Sequence, residues 1–229
     1  MNGMSYSFAL NGTHCLALPS GALFVPSENL LCVSDLHMAK SERVARRRGL
    51  MLPPYETRAT LDRLAQDIEA AKPTCVVALG DSFDDLAASE ALDPEDRARL
   101  IALQDGRRWV WIEGNHDAGP NDHGGEGCHS LSAGGLTFRH IADAASEPGE
   151  VSGHYHPKYG LPGFAERRRC FVVDGRRLIL PAYGTYTGGL DAREPVLRHL
   201  FADKALAVLT GARAMPVPLP PAREHSRRA

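Results

Sequence analysis

Four places in this sequence set aspartate, asparagine or histidine directly after a short apolar run. Leu30-Leu31-Cys32-Val33 leads to Ser34-Asp35-Leu36-His37, and Cys75-Val76-Val77-Ala78-Leu79 leads to Gly80-Asp81-Ser82-Phe83-Asp84. Trp109-Val110-Trp111-Ile112 leads to Glu113-Gly114-Asn115-His116-Asp117, and Glu150-Val151-Ser152 leads to Gly153-His154-Tyr155-His156. Carboxylate, imidazole and amide groups together are a donor set for divalent cations. Each cluster alone is a weak signal, because Gly-Asp is a frequent turn and His-rich loops occur without metal. Gly-Asn-His-Asp is more specific, since asparagine beside histidine suggests a shared site. All four, each at the end of an apolar run, point to a metal centre. Asp35 and His37 are two residues apart, a spacing that can send both side chains to one side of a strand end.

These ligand-bearing turns need strands behind them and helices to cover the strands. The chain has 229 residues, 43% of them hydrophobic and 24% charged, which is enough for one large globular domain. The net charge of -2 excludes a strongly basic surface but leaves room for local basic patches. Five cysteines form no CxxC pair, which fits a reducing cytoplasmic setting better than a disulfide framework. No signal-peptide pattern and no apolar run near about 18 residues is present, so neither secretion nor a membrane span is expected.

Residues 1–29 read as an edge strand and a hairpin. Pro53-Pro54 precedes a helix from Tyr55 to roughly Ala71, with Leu61, Leu64, Ala65 and Ile68 on one buried face. A second helix starts with Asp93 as cap and Pro94 at its first turn, and runs to about Gln104. The order β-α-β-α-β implies parallel pairing with right-handed crossovers. Residues 119–135 are rich in glycine and read as a mobile loop beside the site. The remainder reads as a mostly antiparallel sheet, with Asp174-Gly175 as a hairpin turn. The expected division is a domain over residues 1–210 and a Pro-rich, basic tail over 211–229, extended or disordered.

With these motifs the sequence resembles the calcineurin-like metallophosphoesterase superfamily over roughly residues 30 to 190. The resemblance implies an α/β fold, a two-sheet β-sandwich flanked by helices. By position it implies that Asp35, His37, Asp81 and His156 bind one metal, and that Asp81, Asn115, a lone histidine and His154 bind a second. The lone histidine is assigned to His140, which ends the run Leu136-Thr137-Phe138 as the other ligands end theirs. His123 and His129, in the glycine-rich loop, are read as facing solvent or substrate. Asp84 takes a supporting role beside the ligands. The resemblance implies that a metal-bridging hydroxide attacks phosphorus and that His116 is catalytic, donating a hydrogen bond to the phosphate or a proton to the leaving oxygen, and Asp117 is expected to orient it, to cap the turn, or both. Manganese is the expected metal, with iron or zinc as alternatives.

Further segments resemble the bacterial DNA-ligase-associated metallophosphoesterases. They are Ser34–Ser41, Arg46–Tyr55, Trp109–Ile112, Gly153–Lys158 and Leu180–Asp191. That resemblance implies a manganese-dependent DNA endonuclease of the damage response, acting on single-stranded or looped DNA, with a DNA ligase or helicase as partner. Arg46 and Arg47 are candidate backbone contacts, Tyr183 and Tyr186 candidate stacking platforms, and Lys158 a candidate contact to a non-bridging oxygen. The competing readings are a small-nucleotide phosphatase or phosphodiesterase, and a catalytically silent scaffold of the same fold.

Overall fold

The structure is a computed structural model that describes residues 4–221 except 118, 120, 121 and 162. The basic tail residues Arg223, Arg227 and Arg228, and Pro120 and Asn121 of the glycine-rich loop, lie outside the described residues.

The first half builds one sheet. Strands β1 (Tyr6–Leu10), β2 (Thr13–Ala17) and β3 (Leu23–Val25) form an antiparallel meander ending on β4 (Leu30–Val33). Helices α1 (Lys40–Arg48) and α2 (Glu56–Ala71) lead to β5 (Cys75–Leu79). Helices α3 (Leu86–Glu90) and α4 (Pro94–Ala102) then lead to β6 (Arg108–Ile112). β4, β5 and β6 are parallel neighbours, as the strand-helix-strand order predicts, and β7 (Glu126–Cys128) extends the sheet in parallel beyond β6. The glycine-rich stretch is therefore not loop throughout its described residues. It carries β7, and the Trp111 indole donates to the Gly124 carbonyl at 2.7 Å.

The second sheet holds β8 (Ser130–Ala133), β9 (Leu136–Arg139), β10 (Glu150–Ser152), β11 (Lys158–Gly160), β12 (Arg167–Val173), β13 (Arg177–Ile179), β14 (Leu206–Leu209) and β15 (Met215–Pro218), with α5 (Pro195–Arg198) before β14. It is mostly antiparallel, as expected, with one parallel insertion: β10 pairs in parallel with both β9 and β13. The Asp174-Gly175 turn does join an antiparallel β12–β13 hairpin. Part of the tail is also built into the fold. β15 pairs with β14, and the buried Arg198 guanidinium donates to the Pro220 carbonyl at 2.8 Å.

Alternation along the strands sorts the core into layers. Leu30, Cys32, Val77, Leu79, Val110 and Ile112 face the second sheet. Their neighbours Leu31, Val33, Val76, Ala78, Trp109 and Trp111 face Leu61, Leu64, Ile68 and Leu100 on α2 and α4. A strand covered on both sides has no polar face, so β4, β5 and β6 read as unbroken apolar runs. A third cluster packs the outer face of the second sheet against Leu197 of α5, Phe201 and Leu219. The result is two sheets face to face with helices outside. The turns after β4, β5, β6 and β10 gather at one end, as is usual for parallel sheets.

Candidate metal centre

Asp35 and His37 follow β4, Asp81 follows β5, Asn115 and His116 follow β6, His140 follows β9, and His154 and His156 follow β10. Their side chains converge on two adjoining groups. In the first, His37 Nε2 lies 3.3 Å from His156 Nε2, and His156 Nε2 lies 3.1 Å from Asp35 Oδ1. In the second, His140 Nε2 lies 3.0 Å from Asn115 Oδ1, 3.3 Å from His154 Nδ1 and 3.4 Å from Asp81 Oδ1. Asp81 stands between the groups, its Oδ2 being 3.9 Å from His37 Nε2.

Convergence comes from the backbone and not from strand alternation. Asp35, His37, Asp81, His154 and His156 all have φ between 45° and 69°, the left-handed region. For non-glycine residues that conformation costs roughly 1–2 kcal/mol each. It bends each turn so that consecutive polar side chains point inward. The sequence pattern carries no signal for it. Gly153 serves the same crowding, because a Cβ there would lie 1.7 Å from Ser34 Oγ and 2.6 Å from Asp35 Oδ2.

The protonation pattern of the imidazoles tests whether a cation fits. His140 Nδ1 lies 2.8 Å from the Leu79 carbonyl, which can only accept, so Nδ1 carries the proton in the neutral ring. His37 Nδ1 donates in the same way to Asp84 Oδ1 at 2.8 Å. The Nε2 lone pairs of both rings then face Asp81, Asn115, His154 or His156. Acceptors face acceptors, and a shared cation resolves the conflict; the donor set fits divalent metal. The charges agree. Burial opposes ionisation of Asp81, but the hydrogen bond and charge from His140 and the His116 N–H bring its pKa down to about 2. Burial also opposes the charged form of His140, yet the Asp81 hydrogen bond and the Asp35 and Asp81 carboxylates raise its pKa, so this ring attracts positive charge. His154 is lowered, by burial and by His140.

Asp84 is buried and supports the ligands. Its Oδ1 fixes His37, and its Oδ2 accepts from Arg43 Nη1 at 2.8 Å, with Lys40 Nζ 3.6 Å away. Burial pushes its pKa up, but His37, Arg43 and Lys40 hold it far below the usual carboxylate range. His116 Nε2 points into the site, 4.0 Å from Asp81 Oδ2, and its Nδ1 lies 3.0 Å from the Asp84 carbonyl. That carbonyl orients the ring. Asp117 does not, which corrects the expectation of an orienting carboxylate. Its two oxygens accept from the N–H groups of Asp81, Ser82, Phe83 and Gly114, so it caps the turn that carries Asp81.

Three substrate expectations are changed by packing. Tyr183 is fully buried, with its hydroxyl donating to Asp67 Oδ2 at 2.8 Å and the Arg63 guanidinium 4.5 Å from its ring centre, so it offers no face for a base. Arg46 and Arg47 both pair with Asp85, at 2.8 and 2.9 Å, so much of their charge is already balanced. His123 is buried against Phe83, with Ser89 Oγ 2.9 Å from its Nε2, and faces neither solvent nor substrate. Tyr186 is half-buried and His129 exposed, and Lys158 Nζ donates to the Thr187 carbonyl at 3.3 Å.

The sequence marks Leu180–Asp191 by its resemblance, and Tyr183 and Tyr186 as candidates for stacking, but the structural part this segment plays in the site escapes that reading. The segment 183–190 grips the ligand turns through its backbone. Tyr183 N–H donates to the Ser34 carbonyl at 2.7 Å, and Gly184 N–H to the Asp35 carbonyl at 3.0 Å. A Cβ on Gly184 would lie 2.0 Å from the Leu36 carbonyl oxygen. Arg169, from β12, ties the segment down by donating to the carbonyls of Gly184 at 2.6 Å and Thr185 at 2.9 Å. Only Gly-Thr-Tyr-Thr-Gly-Gly hinted at a special loop.

The family model for calcineurin-like phosphoesterases matches residues 29–197. The chain belongs to that family. It is a metal-dependent phosphoesterase, and the match spans all five turns that carry the candidate ligands. The crystal structure of Pseudomonas putida nuclease MPE superposes on this phosphoesterase with a TM-score of 0.76. The two are 24% identical, and the superposition covers 93% of this chain and 100% of that one, which establishes the shared fold. No curated protein matches the phosphoesterase. Among the described residues no helix is long and apolar enough to cross a membrane.

Proposed function

We propose that this phosphoesterase is a binuclear phosphodiesterase that cleaves DNA internally. The observation that carries the binuclear reading is the Asp81 carboxylate, which turns one oxygen toward His140 and the other toward His37. Asp35, His37, Asp81 and His156 would hold one divalent ion, and Asp81, Asn115, His140 and His154 the other. Manganese is favoured by the mixed oxygen and nitrogen donors, with iron or zinc as alternatives. Two such ions would supply positive charge opposite the phosphoryl oxygens and acidify water at the site.

The chain's own groups do the rest. The Asp84 carbonyl holds the Nδ1 proton of His116, so Nε2 is aimed into the site, where a proton carried on it can pass to the leaving oxygen. Asp84, backed by Arg43, keeps His37 in the tautomer that frees Nε2. Asp117 fixes the Asp81 turn. The DNA reading draws on the nuclease named among similar structures and on the resemblance of Leu180–Asp191 and the other segments to DNA-ligase-associated enzymes, which extends the proposal to DNA repair beside a ligase or helicase. Five unpaired cysteines support a cytoplasmic setting.

A second reading, cleavage of short nucleotide diesters, is favoured by the pairing of Arg46 and Arg47 with Asp85. The test is hydrolysis of an aryl phosphodiester, an aryl phosphomonoester, a dinucleotide and a closed single-stranded DNA circle by Mn²⁺-loaded protein and by His116→Ala. Loss of about 10²- to 10⁴-fold in kcat for the variant, with circle opening by the parent, is expected. Dinucleotide cleavage without circle opening would favour the second reading. Activity on monoesters alone would overturn both.

A further inference from the structure

Beside Asn115 and His140 lies an open cleft of about 460 Å³, lined also by Glu113, His129, Arg139 and Ile141. Its size falls within the range of about 300–1,000 Å³ common for small-molecule sites. Ile141 directly follows His140 and is 43% exposed, an aliphatic side chain left in water at the edge of a polar centre. It belongs to none of the three apolar clusters. The lining also holds a polar pair, with His129 Nδ1 3.0 Å from Glu113 Oε2.

The charge of the cleft says what it does not hold. Arg139 Nη1 lies 3.3 Å from Asp143 Oδ2, and its Nε lies 3.6 Å from the buried Glu150. With Glu113 facing it, the cleft has no surplus positive charge for a second phosphate. An exposed aliphatic side chain, a hydrogen-bonding pair and no net attraction for anions describe a site for a flat, neutral, polar-edged group.

We infer that this cleft is a nucleoside subsite, which takes the base on one arm of the scissile diester against Ile141 and the Glu113–His129 pair. The inference rests on the phosphodiesterase reading and adds to it a position where the enzyme distinguishes a nucleotide ester from a simple one. The base covers Ile141 and meets the carboxylate and imidazole with its polar edge, while the phosphate lies over Asn115 and His140.

The test compares thymidine 5′-(4-nitrophenyl phosphate) with methyl 4-nitrophenyl phosphate, two diesters that share a leaving group and differ in the nucleoside arm. For Mn²⁺-loaded protein, kcat/KM for the nucleoside ester is expected to exceed that for the methyl ester by about tenfold or more, mainly through KM. Ile141→Asp, at an exposed position that the fold tolerates, is expected to bring that ratio near one, and His129→Ala to lower it. Equal kcat/KM for the two esters in the parent, or an unchanged ratio in Ile141→Asp, would overturn the subsite while leaving the phosphodiesterase reading intact. If neither ester is hydrolysed, the phosphodiesterase reading fails. Calorimetric binding of thymidine 5′-monophosphate against inorganic phosphate then decides the cleft by itself. Tighter nucleotide binding that Ile141→Asp removes supports it, and equal binding overturns it.

Discussion

Replacing Arg169 by methionine keeps most of the side chain's bulk and removes the charge that ties the 183–190 segment to the fold. Arg169 reaches the carbonyls of Gly184 and Thr185 at 2.6 and 2.9 Å, and that of Tyr183 more weakly at 3.4 Å; without it, among the described residues, the Gly184 carbonyl keeps only the Thr187 hydroxyl and the Tyr183 carbonyl only Arg63. Hydrogen bonds from a charged group contribute about 1.5–3 kcal/mol each, so the loss is on the order of 5 kcal/mol. Part of it is offset, because burial, together with the nearby Arg63, lowers the Arg169 pKa to about 10. Relief of that charge-burial cost returns roughly 3 kcal/mol. The net destabilisation is about 2 kcal/mol, or a fall of about 4–8 °C in Tm for a chain of this size. The functional effect follows from the bonds that Tyr183 and Gly184 make to Ser34 and Asp35. Those bonds help hold Asp35 at a φ of 53°. A release of about 1.4 kcal/mol in that turn weakens metal binding about tenfold. Differential scanning calorimetry and Mn²⁺ titration of the stripped protein measure both quantities. An unchanged Tm with unchanged Mn²⁺ affinity would refute the reasoning. A lowered Tm with unchanged affinity would show that the segment supports the fold without supporting the ligands.

Asp85→Asn releases Arg46 and Arg47, and nucleic-acid binding measured against salt should tighten, with its log–log slope steeper by about 1–2. Burial raises the Asp85 pKa, but the Ala88 N–H and Arg46 lower it overall. A carboxylate with a depressed folded pKa stabilises above its unfolded value of about 4 and loses that contribution as pH falls through the lower one. The stability difference between parent and variant, about 1 kcal/mol or less for such exposed pairs, should therefore close below about pH 4 in chemical denaturation. A difference that grows in acid would contradict this pairing. Cys15, Cys32 and Cys170 are buried, and burial lifts all three thiols, Cys15 up to about 12. At pH 8 the Cys15 thiolate is about one part in ten thousand. Alkylation followed by mass spectrometry should label Cys75 and Cys128 first and the other three only after unfolding; equal rates would contradict the packing. Gly184→Ala should weaken Mn²⁺ binding, because its Cβ meets the Leu36 carbonyl oxygen. Calorimetric affinity equal to the parent's would show that the turn yields freely.

The strands that carry the site were legible because each is an unbroken apolar run ending in polar residues, and both faces of β4, β5 and β6 are covered. Helix α2 was legible from the spacing of Leu61, Leu64 and Ile68, and α4 from the Asp93-Pro94 cap. What escaped was geometry without a local signature. No residue type announces that Asp35 or His156 is left-handed, since the conformation is imposed by neighbours from distant turns. Asp117 reads the same whether it faces His116 or the backbone of residues 81–83. Tyr183 looked available because its partners, Asp67 and Arg63, lie on α2, far away in sequence. The parallel pairing of β10 with β9 and β13 was hidden because short strands in this half carry no crossover helix to mark direction. β15 was hidden by its prolines, which suit an edge strand as well as a tail.

The most direct test of the central claim is the metal content and geometry of the loaded protein. A crystal structure with Mn²⁺, with anomalous scattering to place the ions and elemental analysis to count them, is expected to show two ions per chain with Asp81 ligating both. One ion, or two that do not share Asp81, would contradict the account.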